Sequence, residues 1–318
     1  MMKLARQIVS LILIAAMFVS FNLAVYLIVT RRCANNFGEA GGGAMIDAEN
    51  YVPFDEDSKI VKADSPVKLT GDIPVLDGAT ALLPVYASFA NALYPEESCS
   101  FDGKDYTPDS AMQYKNTGEA YRGVVNGTAD VIFCAGPSEG QKQYAAERNA
   151  ELVFVPIGLE AFVFIVNRDN PVDGLTADEI RQIYSGDITN WNEVGGPNRL
   201  INPLQRIEGS GSQTALHAFM GERELYRSPL AFLGGTIGFS FRYYVGGIVK
   251  NDGVKMLSVD GVYPSTENIK NGTYPIVSKF YAIYRADNEN ENIPLLIDYI
   301  LSVDGQQIIE ESGYVGIN

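Results

Sequence analysis

Three short segments of this chain set glycine beside a hydroxyl or amide side chain just ahead of an amphipathic stretch. They are Asp77-Gly78-Ala79-Thr80, Asn116-Thr117-Gly118 and Arg206-Ile207-Glu208-Gly209-Ser210-Gly211-Ser212. A helix start leaves N–H groups without an intrahelical acceptor, and glycine lets a ligand come close to them. Such an end carries roughly half a positive charge and binds anions without a lysine. Arg206 adds a planar fork that matches two oxygens of a tetrahedral anion at once. Each segment alone is an ordinary helix cap. Their co-occurrence points to capture of an oxyanion by uncharged donors.

The rest of the composition narrows the chemistry. The 318 residues carry 39 acids against 24 bases, a formal charge of −15. Nucleic acid is therefore a poor partner, since its binders carry a basic footprint. An acidic chain that holds an anion must do so with local donors, because its overall field repels the ligand. One histidine, His217, and three widely spaced cysteines leave no His/Cys metal cluster and no histidine-based triad. Cys99 and Cys134 read as small buried hydrophobes, with pairing in an oxidising compartment the alternative. A phosphohydrolase built on Ser210 or Ser212 lacks a base: His217 follows Ser212 within one helix and turns away from its start. No lysine follows the glycines as a P-loop requires. Neither a catalytic residue, a metal nor a cofactor is expected.

The elements that must position these groups begin with the N-terminus. Lys3 and Arg6 precede a run at 8–30 with no charged residue, and Arg31 and Arg32 close it. At ~1.5 Å per residue this run crosses a ~30 Å hydrocarbon core, so residues 1–32 read as an uncleaved membrane anchor. The alternative is a lipoprotein signal ending at Cys33, but the preceding Thr30-Arg31-Arg32 lacks the small residues such a site needs. Residues 33–65, with Gly41-Gly42-Gly43 and seven acids, read as a flexible acidic linker. Beyond them strands and helices alternate, the signature of an α/β fold. Strands are expected at 73–76, 130–134, 151–157, 161–167, 202–206, 254–257 and 275–285. Helices are expected at 84–94, 118–126, 139–149, 176–184, 213–220, 265–271 and 293–301. Thr176 and Glu179 form a capping box for one of them.

Residues 70–318 resemble the phosphate-binding proteins of ABC transporters, in the form found in Gram-positive bacteria. The likeness lies in DGATALLPVYASFA at 77–90, NGTADVIFCAGPSE at 126–139, PIGLEAFVFIVN at 156–167 and LTADEIRQIYSGDITNWNEVGG at 175–196. It continues in QRIEGSGSQTALHAFM at 205–220, IGFSFRYY at 237–244 and NGTYPIVSKFYAIY at 271–284. The resemblance implies a two-lobed type II periplasmic-binding-protein fold with the ligand in the cleft. Lobe one would comprise 66–158 with 278–318, and lobe two 159–277. It implies ligand contacts from Thr80, Ala81, Thr117, Arg206, Ser210, Gly211 and Ser212. It also implies a monomer outside the membrane, working with an ABC permease.

One departure from that pattern matters. Phosphate binders of this family place an aspartate just after the strand that begins Ala-Asp, to accept the proton of hydrogen phosphate. Here that strand leads into Ala135-Gly136-Pro137-Ser138, with no acid. Glu119, Glu139 and Glu208 are the candidates to replace it, Glu119 first, as proton acceptor. A tethered oxyanion sensor or adaptor with no transport role is the competing function.

Overall fold

The computed structural model describes residues 17, 19, 20, 22, 46–226, 234–249 and 252–317 of a chain that divides into Met1–Met45 and Ile46–Asn318. Most of the expected anchor, with Cys33, lies outside the described residues; Met17, Val19, Ser20 and Asn22 are helical and exposed. Among the described residues no helix is long and apolar enough to cross a membrane.

The expected linker ends earlier than its composition suggests. From Ile46 onward the chain is packed: Ile46, Ala48 and Ile60 are buried in the first core. Phe54 N–H donates to Asn91 Oδ1 at 2.9 Å, and Val61 N–H to Ser88 Oγ at 3.0 Å. The acids alternate with apolar residues that dock on the helix Leu83–Leu93, and those residues decide its conformation.

The central sheet has seven strands. They are β1 (Leu76–Gly78), β2 (Val131–Ala135), β3 (Leu152–Asn167), β5 (Ile201–Pro203), β6 (Gly235–Phe241), β7 (Val254–Met256) and β9 (Val277–Arg285), while β4 (Gly174–Leu175) and β8 (Ser258–Val259) pair separately. The order is β1-β2-β9-β3-β6-β5, with β7 also on β3. The helices are α1 (Leu83–Leu93), α2 (Thr117–Asn126), α3 (Glu139–Ala146), α4 (Ala177–Ser185), α5 (Gly211–Met220), α6 (Thr266–Lys270), α7 (Asn292–Leu301) and α8 (Val303–Glu311). All seven expected helices are present. The short α8 and the glycine-interrupted β6 were not anticipated.

The two expected strands at 151–157 and 161–167 are one strand, β3. It pairs with β9 from Leu152 to Ala161 and with β6 from Phe162 to Val166. Its register shifts between Pro156 and Gly158, where the ring of Phe280 occupies the space a Cβ on Gly158 would need, 2.2 Å from that position. Proline and glycine here bend the ladder without ending it.

Buried apolar residues gather on either side of this strand. One core takes in α1, β1, β2, α7 and α8, with a smaller cluster under α2 and α3. A separate core takes in Phe162–Val166, α4, β6 and α5, and holds Trp191, whose Nε1–H donates to the Gly235 carbonyl at 3.1 Å. The fold is the two-lobed α/β arrangement expected, with β3 and β9 at its centre.

Candidate functional site

The first of the three segments is shaped by close packing at the end of β1. A Cβ on Gly78 would lie 2.6 Å from the Phe133 carbonyl oxygen, so only glycine fits. Ala79 N–H donates to that same oxygen at 2.8 Å, and a 3-10 turn, Thr80–Leu82, follows before α1. The Thr80 side chain is hydrogen-bonded to Tyr114. The Ala81 carbonyl accepts a hydrogen bond from the Tyr314 hydroxyl.

The second segment opens α2. Asn116 caps it, its Oδ1 accepting from Glu119 N–H at 3.1 Å, which leaves the first-turn amides of Thr117 and Gly118 without an intrahelical acceptor. The third opens α5. Ser210 Oγ accepts from Gln213 N–H at 3.3 Å and donates to the Ile207 carbonyl at 2.9 Å. Gly209, at φ +80°, makes the turn that presents Gly211 and the buried Ser212. Arg206 N–H is held by Gln213 Oε1 at 2.8 Å, so the arginine is fixed to the helix it precedes.

These segments are brought together. A Cβ built on Gly211 would stand 3.6 Å from Thr117 Oγ1 and 3.8 Å from Ala135 Cβ, so the starts of α2 and α5 face each other at close range. Gln141 Nε2, in the first turn of α3, donates to the Gly209 carbonyl at 3.1 Å. The Thr80 turn and Arg206 are linked through two tyrosines. Tyr244 lies near both Arg206 and Tyr114; burial is the main cause that pushes its phenol up to about 12, with Arg206 opposing. Burial draws the Arg206 guanidinium below its usual range, with Tyr244 opposing. Arg206 is thus a half-buried cation with a phenol nearby.

The three glutamates weighed as proton acceptor are all engaged at the surface. Glu119 Oε1 pairs with Arg122 at 2.6 Å, Glu139 with Lys142 at 2.7 Å, and Glu208 with His217 Nε2 at 3.1 Å. Their side chains are 49%, 89% and 76% exposed, which removes the desolvation that a discriminating acceptor needs. His217 Nε2 is engaged by Glu208 and the Ser210 hydroxyl donates to the Ile207 carbonyl, so among the described residues no base is hydrogen-bonded to that serine. Among the described residues no group of His, Cys, Asp and Glu is placed to hold a metal ion.

The acid that is buried beside these loops is Asp77, fully inaccessible at the end of β1. Its Oδ1 accepts from Gly78 N–H at 2.8 Å and from Lys115 N–H at 3.1 Å. Among the described residues its Oδ2 has no hydrogen-bond partner; Lys115 Nζ is 3.9 Å away. Burial pushes Asp77 up to about 6, against the pull of those two N–H groups and Lys115. The sequence displayed this residue in the first glycine segment, but nothing there marked it as buried. Tyr114 was missed too: a single aromatic residue carries no sign of the Thr80 hydroxyl that the fold brings to it.

Cys99 and Cys134 are both free thiols. Cys134 is buried at the end of β2, where desolvation raises its thiol well above the ordinary range.

Comparison with known proteins agrees with this architecture. The profile of the family described as "PBP superfamily domain" matches residues 70–303. A phosphate-binding protein PstS of Bacillus subtilis is 26% identical over 274 residues, covering 79% of this chain and 82% of the relative. Its counterpart from Borreliella burgdorferi is 28% identical over 177 residues, 50% of this chain and 63% of that protein. The crystal structure of a phosphate ABC transporter substrate-binding protein from Clostridium perfringens, with bound phosphate, superposes with a TM-score of 0.59 at 27% identity, over 76% of this chain and 98% of that one. A phosphate transport receptor from Vibrio cholerae, at 20% identity and a TM-score of 0.54, shares the fold. With its profile match over residues 70–303 and a continuous strand between two α/β cores, this chain belongs to the PBP superfamily domain family.

Proposed function

We propose that this protein captures phosphate, or a closely related tetrahedral oxyanion, outside the cytoplasm and delivers it to an ABC permease without making or breaking a bond. The observation that carries the reading is the approach of Gly211 to within 3.6 Å, at its Cβ position, of Thr117 Oγ1. Two helix starts with unspent N–H groups face one another there, and Arg206 and the Thr80 turn are tied in through Tyr244 and Tyr114. In this reading the donors offered to the ion are of four kinds: backbone amides, the Thr80, Thr117, Ser210 and Ser212 hydroxyls, phenols, and one guanidinium. The names of the PstS relatives and the phosphate in the Clostridium perfringens structure support phosphate as the ion.

The ligand set proposed is Thr80, Ala81, Thr117, Arg206, Ser210, Gly211 and Ser212. Lobe one is assigned to 66–158 and 278–318 and lobe two to 159–277, so that closure traps the ion between Thr80 and Thr117 on one side and Arg206 and the α5 start on the other. Residues 1–32 supply an uncleaved anchor, on the strength of the uncharged run at 8–30, and the protein acts as a monomer.

Calorimetric titration of the detergent-solubilised chain with phosphate, arsenate, sulfate and molybdate tests the reading. Saturable phosphate binding that persists in excess sulfate is the expected result. No binding of any of the four ions overturns it.

A further inference from the structure

Asp77 sits where a negative charge is least expected in an anion trap. The register Asp77↔Ile132 and the alternation along β2 put it on the side of the sheet covered by α2, with Ile132 and Cys134. Its Oδ1 holds the amide two residues before Thr80 and the amide two residues before Thr117. One carboxylate oxygen thereby ties two of the donor segments together. Its Oδ2 is enclosed and has no hydrogen-bond partner among the described residues. The titratable and charged groups facing it are Lys115 ahead of α2, Glu119 within α2, Tyr86 of α1 and Cys134 of β2. Lys115 is the only cation of the four, and its side chain is 43% exposed.

We propose that Asp77 is the positioning residue that makes oxyanion capture proton-linked: Oδ1 clamps the Thr80 turn to the α2 start, and Oδ2 takes up a proton from solvent as the anion arrives. This rests on the anion-capture reading above. An anion held by the amides at Thr80 and Thr117 shares a desolvated region with this carboxylate, and like charges in such a region disfavour ionisation. In the free protein Asp77 is ionised above about 6, because burial has already raised it. The bound anion raises the midpoint further, so between the two midpoints each binding event draws in a proton. Affinity accordingly falls as pH rises through that window and levels off above it. Protonation leaves Oδ1 as an acceptor for Gly78 and Lys115, so the clamp survives while the repulsion is removed.

The test is titration of the full chain, in detergent, with inorganic phosphate at ~pH 6.5 in two buffers of different ionisation enthalpy, which counts protons per phosphate bound. Asp77→Asn keeps an oxygen for the two N–H groups and removes the charge. The wild-type chain is expected to take up roughly half a proton more per phosphate than this variant, since the titration of phosphate itself is common to both. The variant is also expected to bind about tenfold more tightly at ~pH 8. Equal proton counts in two proteins that both bind phosphate overturn the proposal. Absence of phosphate binding to the wild-type chain instead overturns the reading on which it rests. If Asp77→Asn fails to fold by thermal melting, Lys115→Met replaces it. Loss of that cation is expected to move the pH of maximal proton uptake upward, and an unmoved maximum overturns the proposal.

Discussion

Arg206 shows how a single cation is made effective in a chain of net charge −15. Its backbone is pinned by Gln213, its half-buried guanidinium is partly withdrawn from solvent, and Tyr244 lies near it. A lysine would keep the charge and lose the fork, so Arg206→Lys is expected to weaken phosphate binding about tenfold or more while the melting temperature stays within a degree or two. Calorimetry and a thermal melt on the same sample check both halves. Glu119→Gln, by contrast, is expected to leave the ratio of phosphate to sulfate affinity unchanged, because Glu119 is spent on Arg122 at the surface. Residues announced by glycine and hydroxyl at a helix start were legible in the sequence because the backbone requirement is local. Asp77 and Tyr114 were not legible, since their roles depend on burial and on neighbours 30 or more positions away, as with Asp77 Oδ1 and Lys115 N–H at a separation of 38.

At the scale of elements, the capped helices were the most readable part. The Thr176–Glu179 box stands as expected, with Glu179 N–H on Thr176 Oγ1 at 3.1 Å and Thr176 N–H on Glu179 Oε2 at 2.7 Å. The misread element was β3, where Pro156 and Gly158 look like a break in the sequence but bracket a register shift inside a continuous ladder. The packed stretch from Ile46 was misread for a related reason: charge density was given more weight than the few apolar residues that dock. The β1–Thr80 junction is the element most sensitive to change. Gly78→Ala forces a methyl group to within 2.6 Å of a backbone carbonyl, and the Tyr86 ring at 3.0 Å closes the other side. A loss of about 2–3 kcal/mol in denaturant unfolding is expected, with phosphate binding weakened as the Thr80 turn shifts.

Across the whole molecule, the point where β3 passes from β9 to β6 carries a buried ion pair. Glu160 is 4% exposed; its Oε1 accepts from Ala161 N–H at 2.8 Å and lies 3.5 Å from Arg242 Nε. Its Oε2 accepts from Tyr243 N–H at 3.2 Å, and Arg242 Nη2 donates to the Gly313 carbonyl at 2.6 Å. Burial pushes Glu160 up to about 7, with Arg242 opposing. A carboxyl raised above its unfolded value contributes stability that is complete below the unfolded midpoint and is lost as pH rises through the folded one. Arg242→Met removes the compensating charge and is expected to cost roughly 3 kcal/mol at alkaline pH and less in acid. Thermal melts at ~pH 5.5 and ~pH 8.5 should show the gap to the wild-type chain widening with pH; a constant gap would show that Glu160 does not titrate in that range.

The same strand determines how the protein must move. Ala161 is paired with Val277 of β9 and Phe162 with Phe241 of β6, and the two are successive residues of one strand. No loop of slack lies between them. The lobe closure proposed above is therefore expected to be taken up as a change of twist in the sheet, with no flexible hinge loop on this strand.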